Sequence, residues 1–182
     1  MRKVMPMAGS QSDRAETFKA LHERPGAFVI PNPWDVGTAR ILAGLGFEAL
    51  ATTSAGMAFA LGRRDGAVSR DDALAHARTI VDATPLPVSA DLENGFGATP
   101  ETASETIRLA AGTGLVGGSI EDATGDPRKP IYDFALAVER VEAAAAVARS
   151  LPIPFMLTAR AENFVAGRTD LDDTIRRLQA FE

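Results

Sequence analysis

Apolar residues follow two alternating rhythms along the chain. Short runs with little polar interruption fall at 27–30, 47–52, 87–90, 115–120 and 153–159. Between them lie longer stretches in which apolar residues recur every three or four positions, the spacing of a helix face. The runs predict strands and the stretches predict helices. An opening helix is expected over 12–23, with Phe18 and Leu21 on one face. Asp35 is placed to cap a helix running to residue 45, and Ser69 one running to 83, with Asp71 and Asp72 in its first turn. Thr99 followed by Pro100 marks the start of a helix ending near 111. Further helices are expected over 131–149 and from Asp170 onward, and a long polar loop over 61–68.

Strand and helix alternate at roughly 25–35 residues per unit, which implies a parallel sheet. The strands lack polar alternation, as expected when both faces are covered. The fold class expected is therefore α/β, read as one domain. The segment Gly112-Thr113-Gly114-Leu115-Val116-Gly117 spells a dinucleotide fingerprint, but it follows a helix and leads into a strand, the reverse of what that motif requires. Gly112 reads instead as a helix C-cap.

Composition narrows the chemistry. The net charge of −5 with scattered basic residues argues against nucleic acid or an anionic membrane as partner. Without cysteine, the chain has no disulfide, zinc–thiolate site or thiol nucleophile. No apolar run approaches the ~20 residues of a membrane helix. The N-terminus has no long apolar segment of a secretory signal, and a cytoplasmic location is the default expectation.

Parallel α/β folds carry their active sites at the C-terminal ends of the strands. The polar residues there are Asn32 and Asp35, Thr53 and Ser54, Asp91 and Glu93, Glu121 and Asp122, and Arg160 and Glu162. Carboxylates crowded at one mouth repel, and a divalent cation resolves the conflict. An oxygen-only set suits Mg²⁺ or Mn²⁺, with one or two acids ligating directly and others holding waters. Asp91 and Glu93 are separated from the next helix by Asn94-Gly95-Phe96-Gly97-Ala98, so they are not simple caps. Asp122 reads equally well as a turn residue. Arg160, ending an apolar strand, needs an anionic partner, either Glu162 or a substrate carboxylate, and the substrate is favoured. His22 and His76 lie within amphipathic helices and read as packing residues, and Lys129 as a solvated charge. A Schiff-base aldolase needs a lysine at a strand end, and Lys3, Lys19 and Lys129 are not so placed.

At these residues the chain resembles the isocitrate lyase/phosphoenolpyruvate mutase superfamily, in its oxaloacetate decarboxylase/carboxyphosphonoenolpyruvate mutase-like branch. Four segments carry the likeness in order: Gly46-Phe47-Glu48-Ala49-Leu50 leading to Thr53-Ser54, Asp91-Leu92-Glu93-Asn94-Gly95-Phe96-Gly97, Ser119-Ile120-Glu121-Asp122, and Thr158-Ala159-Arg160-Ala161-Glu162. The resemblance implies a (β/α)₈ barrel of which about the first five units are present, over residues 12–182, truncated before the last three strands. Residues 1–11 are expected to form a flexible tail. It also implies a Mg²⁺-dependent carbon–carbon lyase or decarboxylase acting on a small 2-oxo acid through an enolate. By position, Asp91, Glu93, Glu121 and Asp65 would serve the metal and its waters. Thr53 and Ser54 would bind the substrate carboxylate, and Arg160 would stabilise the enolate, with Glu121 beside it. The full-length protein is expected to form a homo-oligomer, dimer or tetramer. Two departures shape the expectation. The loop 123–130 lacks the cysteine of isocitrate and methylisocitrate lyases, and ~250 residues are needed for a complete barrel. The alternatives are a catalytically incompetent barrel fragment or a phosphonate-type mutase or hydrolase.

Overall fold

A computed structural model describes residues 9–182. The chain opens with α1 (Gln11–Glu23), started by a capping box between Ser10 and Asp13. Of the expected tail, residues 1–8 lie outside the described residues, while Ser10 caps α1 and Gln11 begins it. The Gln11 amide donates to Ala111 O and Leu115 O, both at 2.8 Å.

The run at 27–30, expected as a strand, forms no ladder. Its neighbourhood makes one backbone bond, Ala51 N–H to Pro31 O at 3.1 Å. Pro31 and Pro33 have no N–H to offer, so pairing stops there. Asp35 then caps α2 (Val36–Gly44), accepting from Thr38 N at 2.7 Å. The sheet begins with β1 (Leu50–Ala51). Directly after it lies a helix the sequence pattern did not announce, α3 (Ser54–Ala60), capped by Thr53. Four expected helices follow within a few residues of their expected bounds: α4 (Arg70–Ala83), α5 (Pro100–Ala111), α6 (Phe134–Ser150) and α7 (Leu171–Phe181). Between them run β2 (Val88–Asp91), β3 (Gly117–Glu121) and β4 (Met156–Arg160). Gly112 does C-cap α5, and the glycines after it enter β3, so no phosphate-binding turn forms. No described helix is long and apolar enough to cross a membrane.

All pairings are parallel, in the order β1-β2-β3-β4. One face is covered by helices. Leu50, Val88, Ala90 and Ile120 pack in one buried cluster with Ile80, Ile107, Val141 and Ala144. Burying each of the larger side chains contributes about 1.5–3 kcal/mol. The strand beginnings are closed by α1, whose Phe18 packs with Ala49, Val116 and Met156. A β-carbon at Gly117 would lie 2.9 Å from the Phe18 ring and 2.8 Å from Met156 O, so the ring sits where only glycine leaves room. With the strand beginnings occupied, the opposite ends are left for chemistry.

Candidate active site

Parallel pairing brings the last residues of three strands to one rim. Glu121 and Arg160 are register partners, and Asp91 pairs with Ser119 two residues before Glu121. Arg160 meets three carboxylates. Its guanidinium bonds Glu121, lies 3.6 Å from Asp91 Oδ1, and its Nε lies 3.0 Å from Glu162 Oε1 without hydrogen-bond alignment. Of the two partners expected for Arg160, Glu162 lies beside it, joined by Glu121 and Asp91. Its side chain keeps 37 % of its exposure, against 12–15 % for the three acids, so one side still faces solvent.

Asp91 is held from both oxygens: Oδ2 accepts from Ser54 N at 3.1 Å and Oδ1 from Glu93 N at 3.0 Å. The Ser54 amide, expected as a donor to substrate, is therefore committed to Asp91. The Thr53 hydroxyl accepts from Gly56 N at the start of α3. Glu93 has a left-handed backbone, φ 49°, and is followed by Gly95 at 78° and Phe96 at 60°. Such conformations in non-glycine residues cost ~1–3 kcal/mol and persist only where the surroundings enforce them.

Ser54, Asp65, Glu93, Asn94, Glu121, Arg160 and Glu162 share the wall of a cleft of about 1110 Å³, ample for a small acid with waters. Asp91 and Thr53 instead line a smaller chamber of about 310 Å³ beneath it, and Arg160 borders both. The structure therefore gathers Asp91, Glu93, Glu121 and Arg160 at one place, with Asp65 on the facing loop. Asp122 departs from both its expected readings. It is buried, receives Arg177 at 3.0 Å and Glu162 N at 2.8 Å, and is neither a turn nor a metal residue. The linear sequence hides this pair because its members are 55 residues apart. His22 packs edge-on against Phe18 and Phe28, His76 contacts Trp34 O, and exposed Lys129 pairs with Asp133, all as bland as expected.

Glu93 supplies the test of fit for a cation. Its Oε1 is buried without a partner. Burial above all, then the charges of Asp91 and Asp65, push its pKa up to about 7, against a smaller opposing pull from Arg160. The cleft wall carries Asp65, Asp71, Glu93, Glu121 and Glu162 against Arg70 and Arg160, an excess of negative charge. Among the described residues no three acids converge as a ready cage. A cation that keeps most of its waters needs only one or two direct carboxylates, and Glu93 offers an oxygen without a partner.

A stability measurement probes this charge directly. The raised pKa means that the folded protein loses stability as pH rises from about 4.5 to about 7, and the cost is complete above that. Metal-free Glu93→Gln protein should match wild type near pH 4 and exceed it at pH 8. The gain should be about 1–2 kcal/mol, once solvent screening of a half-exposed group is allowed for. Urea titrations at the two pH values check this, and equal gains at both would show that Glu93 carries no ionisation cost.

Comparison with known proteins agrees with the geometry. The model of the phosphoenolpyruvate phosphomutase family matches residues 18–182. A crystal structure from Burkholderia cenocepacia J2315, described as a candidate lyase/mutase, superposes with a TM-score of 0.92 at 63 % identity, over 94 % of this chain and 61 % of that one. Oxaloacetate acetylhydrolase in complex with its product oxalate gives a TM-score of 0.85 at 28 % identity, over 94 % and 60 %. The 2-methylisocitrate lyase of Salmonella typhimurium is 28 % identical over 91 % of this chain and 58 % of its own length. The chain spans about half to three-fifths of the length of the relatives it matches.

Proposed function

The chain belongs to the phosphoenolpyruvate phosphomutase family of the isocitrate lyase/phosphoenolpyruvate mutase superfamily, and on that premise we propose that it carries the site of a Mg²⁺-dependent lyase acting on a small 2-oxo acid. Relatives that are lyases support the reaction class. The observation that carries the reading is the rim itself, where one half-exposed guanidinium is ringed by carboxylates and Glu93 stands unpartnered among them.

Asp91, its oxygens oriented by the amides of Ser54 and Glu93, is the acid set to hold the metal directly. Glu93, Glu121 and Asp65 would support it from the surrounding wall. The ion, when bound, would supply a Lewis acid at the substrate's ketone oxygen. Arg160 stabilises the negative charge that grows on that oxygen as the carbon next to the ketone loses its carboxylate as CO₂ and the bonding pair becomes the enolate. Glu121 keeps the guanidinium in place between turnovers. The hydroxyls of Ser54 and Thr53 orient the substrate carboxylate. Because the charge on the oxygen is larger in the transition state than in the ground state, these contacts raise turnover and not affinity alone.

The test is carried out on the full-length protein. Pyruvate release from oxaloacetate is followed with and without chelator. It should vanish with chelator and return with added Mg²⁺. Turnover indifferent to chelation would refute the metal reading. A phosphonate rearrangement is the second reading, favoured by the match to the phosphomutase model. Conversion of phosphonopyruvate to phosphoenolpyruvate, followed by phosphorus NMR, decides it.

A further inference from the structure

The largest fully buried side chain among the described residues is a charged one. Arg140, on the inner face of α6 beside Ala137, Val141 and Ala144, is 1 % exposed. A buried guanidinium normally faces a carboxylate, because an unpaired charge in the interior is costly. No salt bridge to Arg140 exists among the described residues. Its donors go to backbone oxygens instead: Asn94 O, Gly97 O at 2.7 Å and Thr99 O at 3.3 Å. The guanidinium also lies 4.3 Å over the ring of Tyr132. All three acceptors belong to the short turn that follows Asp91 and Glu93.

The turn's front is tied by Gly95 N to Leu92 O at 2.8 Å, Glu121 N to Glu93 O at 2.9 Å and Phe96 N to Asn94 Oδ1 at 3.0 Å, and Arg140 is its main hold on the far side. Thr106 donates to Gly95 O at 2.8 Å, and Tyr132 Oη reaches Gly97 O only at 3.4 Å. Within it, Phe96 keeps its left-handed φ, and Glu93 does so immediately before it. A planar fork of five donors can satisfy several carbonyls at once, whereas a lysine ammonium is a single point with a different reach. On the turn's other side, the Asn94 amide donates to Thr124 O, which links it to the loop 123–130.

We propose that Arg140 is a positioning residue for the cation site. From outside the cleft, it grips the carbonyls of the 94–99 turn and so fixes the strained backbone that aims Glu93. It touches neither substrate nor metal, and the cleft wall does not include it. The inference rests on the metal-site reading given above, and its test separates the two.

Arg140→Met and Arg140→Lys proteins are compared with wild type in three measurements. These are circular dichroism for folding, Mn²⁺ binding by electron paramagnetic resonance, and amide hydrogen exchange. Loss of an outer residue that orients metal ligands weakens metal binding by about 10–100-fold. Folded Arg140→Met protein should show a loss of that size, and Arg140→Lys an intermediate one. Mn²⁺ affinity within twofold of wild type in a folded Arg140→Met protein overturns the proposal. If that variant does not fold, Arg140→Lys decides by the same twofold limit. If wild type binds no Mn²⁺, the metal reading fails, and the exchange data judge Arg140 alone. Faster exchange confined to the Glu93, Gly95 and Phe96 amides then supports the positioning role, and unchanged exchange overturns it.

Discussion

Arg177→Met protein should unfold with about 3–5 kcal/mol less stability than wild type. Arg177 is 3 % exposed and bridges Asp122 at 3.0 Å, Asp173 at 2.8 Å and Tyr132 O at 3.0 Å. Methionine fills much the same volume but leaves Asp122, itself 1 % exposed at the side chain, as a buried charge without its cation. Asp122 also receives the Glu162 amide, so the damage reaches the residue that flanks Arg160. Denaturation of wild type, Arg177→Met, Asp122→Asn and the double variant closes a thermodynamic cycle. The double variant should recover a large part of the loss, since removing both members of a buried pair is far less costly than removing one. A double variant as unstable as the sum of the singles would show that the two residues do not act as a pair.

Arg160→Met is the substitution with the largest expected effect on chemistry, and it should move two measurements in opposite directions. Turnover of the full-length protein should fall about 10²–10³-fold, the loss expected when a donor to a developing oxyanion is removed. Divalent-cation binding should tighten, on the order of tenfold, because Asp91, Glu121 and Glu162 lose the positive charge that now competes for them. Steady-state rates and an Mn²⁺ titration read the two effects separately. Cation affinity that stays level or weakens in a folded variant would mean that the guanidinium and the ion do not share those carboxylates. This opposition distinguishes a catalytic arginine from one that merely braces the rim, whose loss would weaken both.

Most of the fold was legible because its signals are local. Asp35, Ser69, Thr99 and Asp170 each cap the helix that follows them, through a bond spanning three residues. The positions of Asp91, Glu121 and Arg160 followed from a topological rule, that parallel strands end at the same rim. The misses have equally definite causes. The first strand was lost because prolines 31 and 33 offer no donors. The seven-residue α3 shows too little periodicity, and it contains Gly56, retained because a β-carbon there would strike Trp34. Side-chain pairing was the least legible level. Nothing in the spacing says that Arg160 would bind three acids, that Asp122 would turn inward to Arg177, or that Arg140 would choose carbonyl partners. Apart from the neighbouring Glu162, long side chains select these partners in three dimensions, from residues 39 to 69 positions away.

The closure of the strand beginnings by α1 bears on how the molecule can be handled. Lys19, on that helix, has a side chain 45 % exposed, whereas Lys129 belongs to the loop that supplies Thr124 and Gly125 to the cleft wall. Among the described residues, amine coupling to a sensor chip or a dye would thus attach either at the closed base or beside the open mouth. Lys129→Arg removes the described attachment point beside the mouth, which favours presenting the rim to solution, the orientation that surface-based measurements of cation and small-acid capture require.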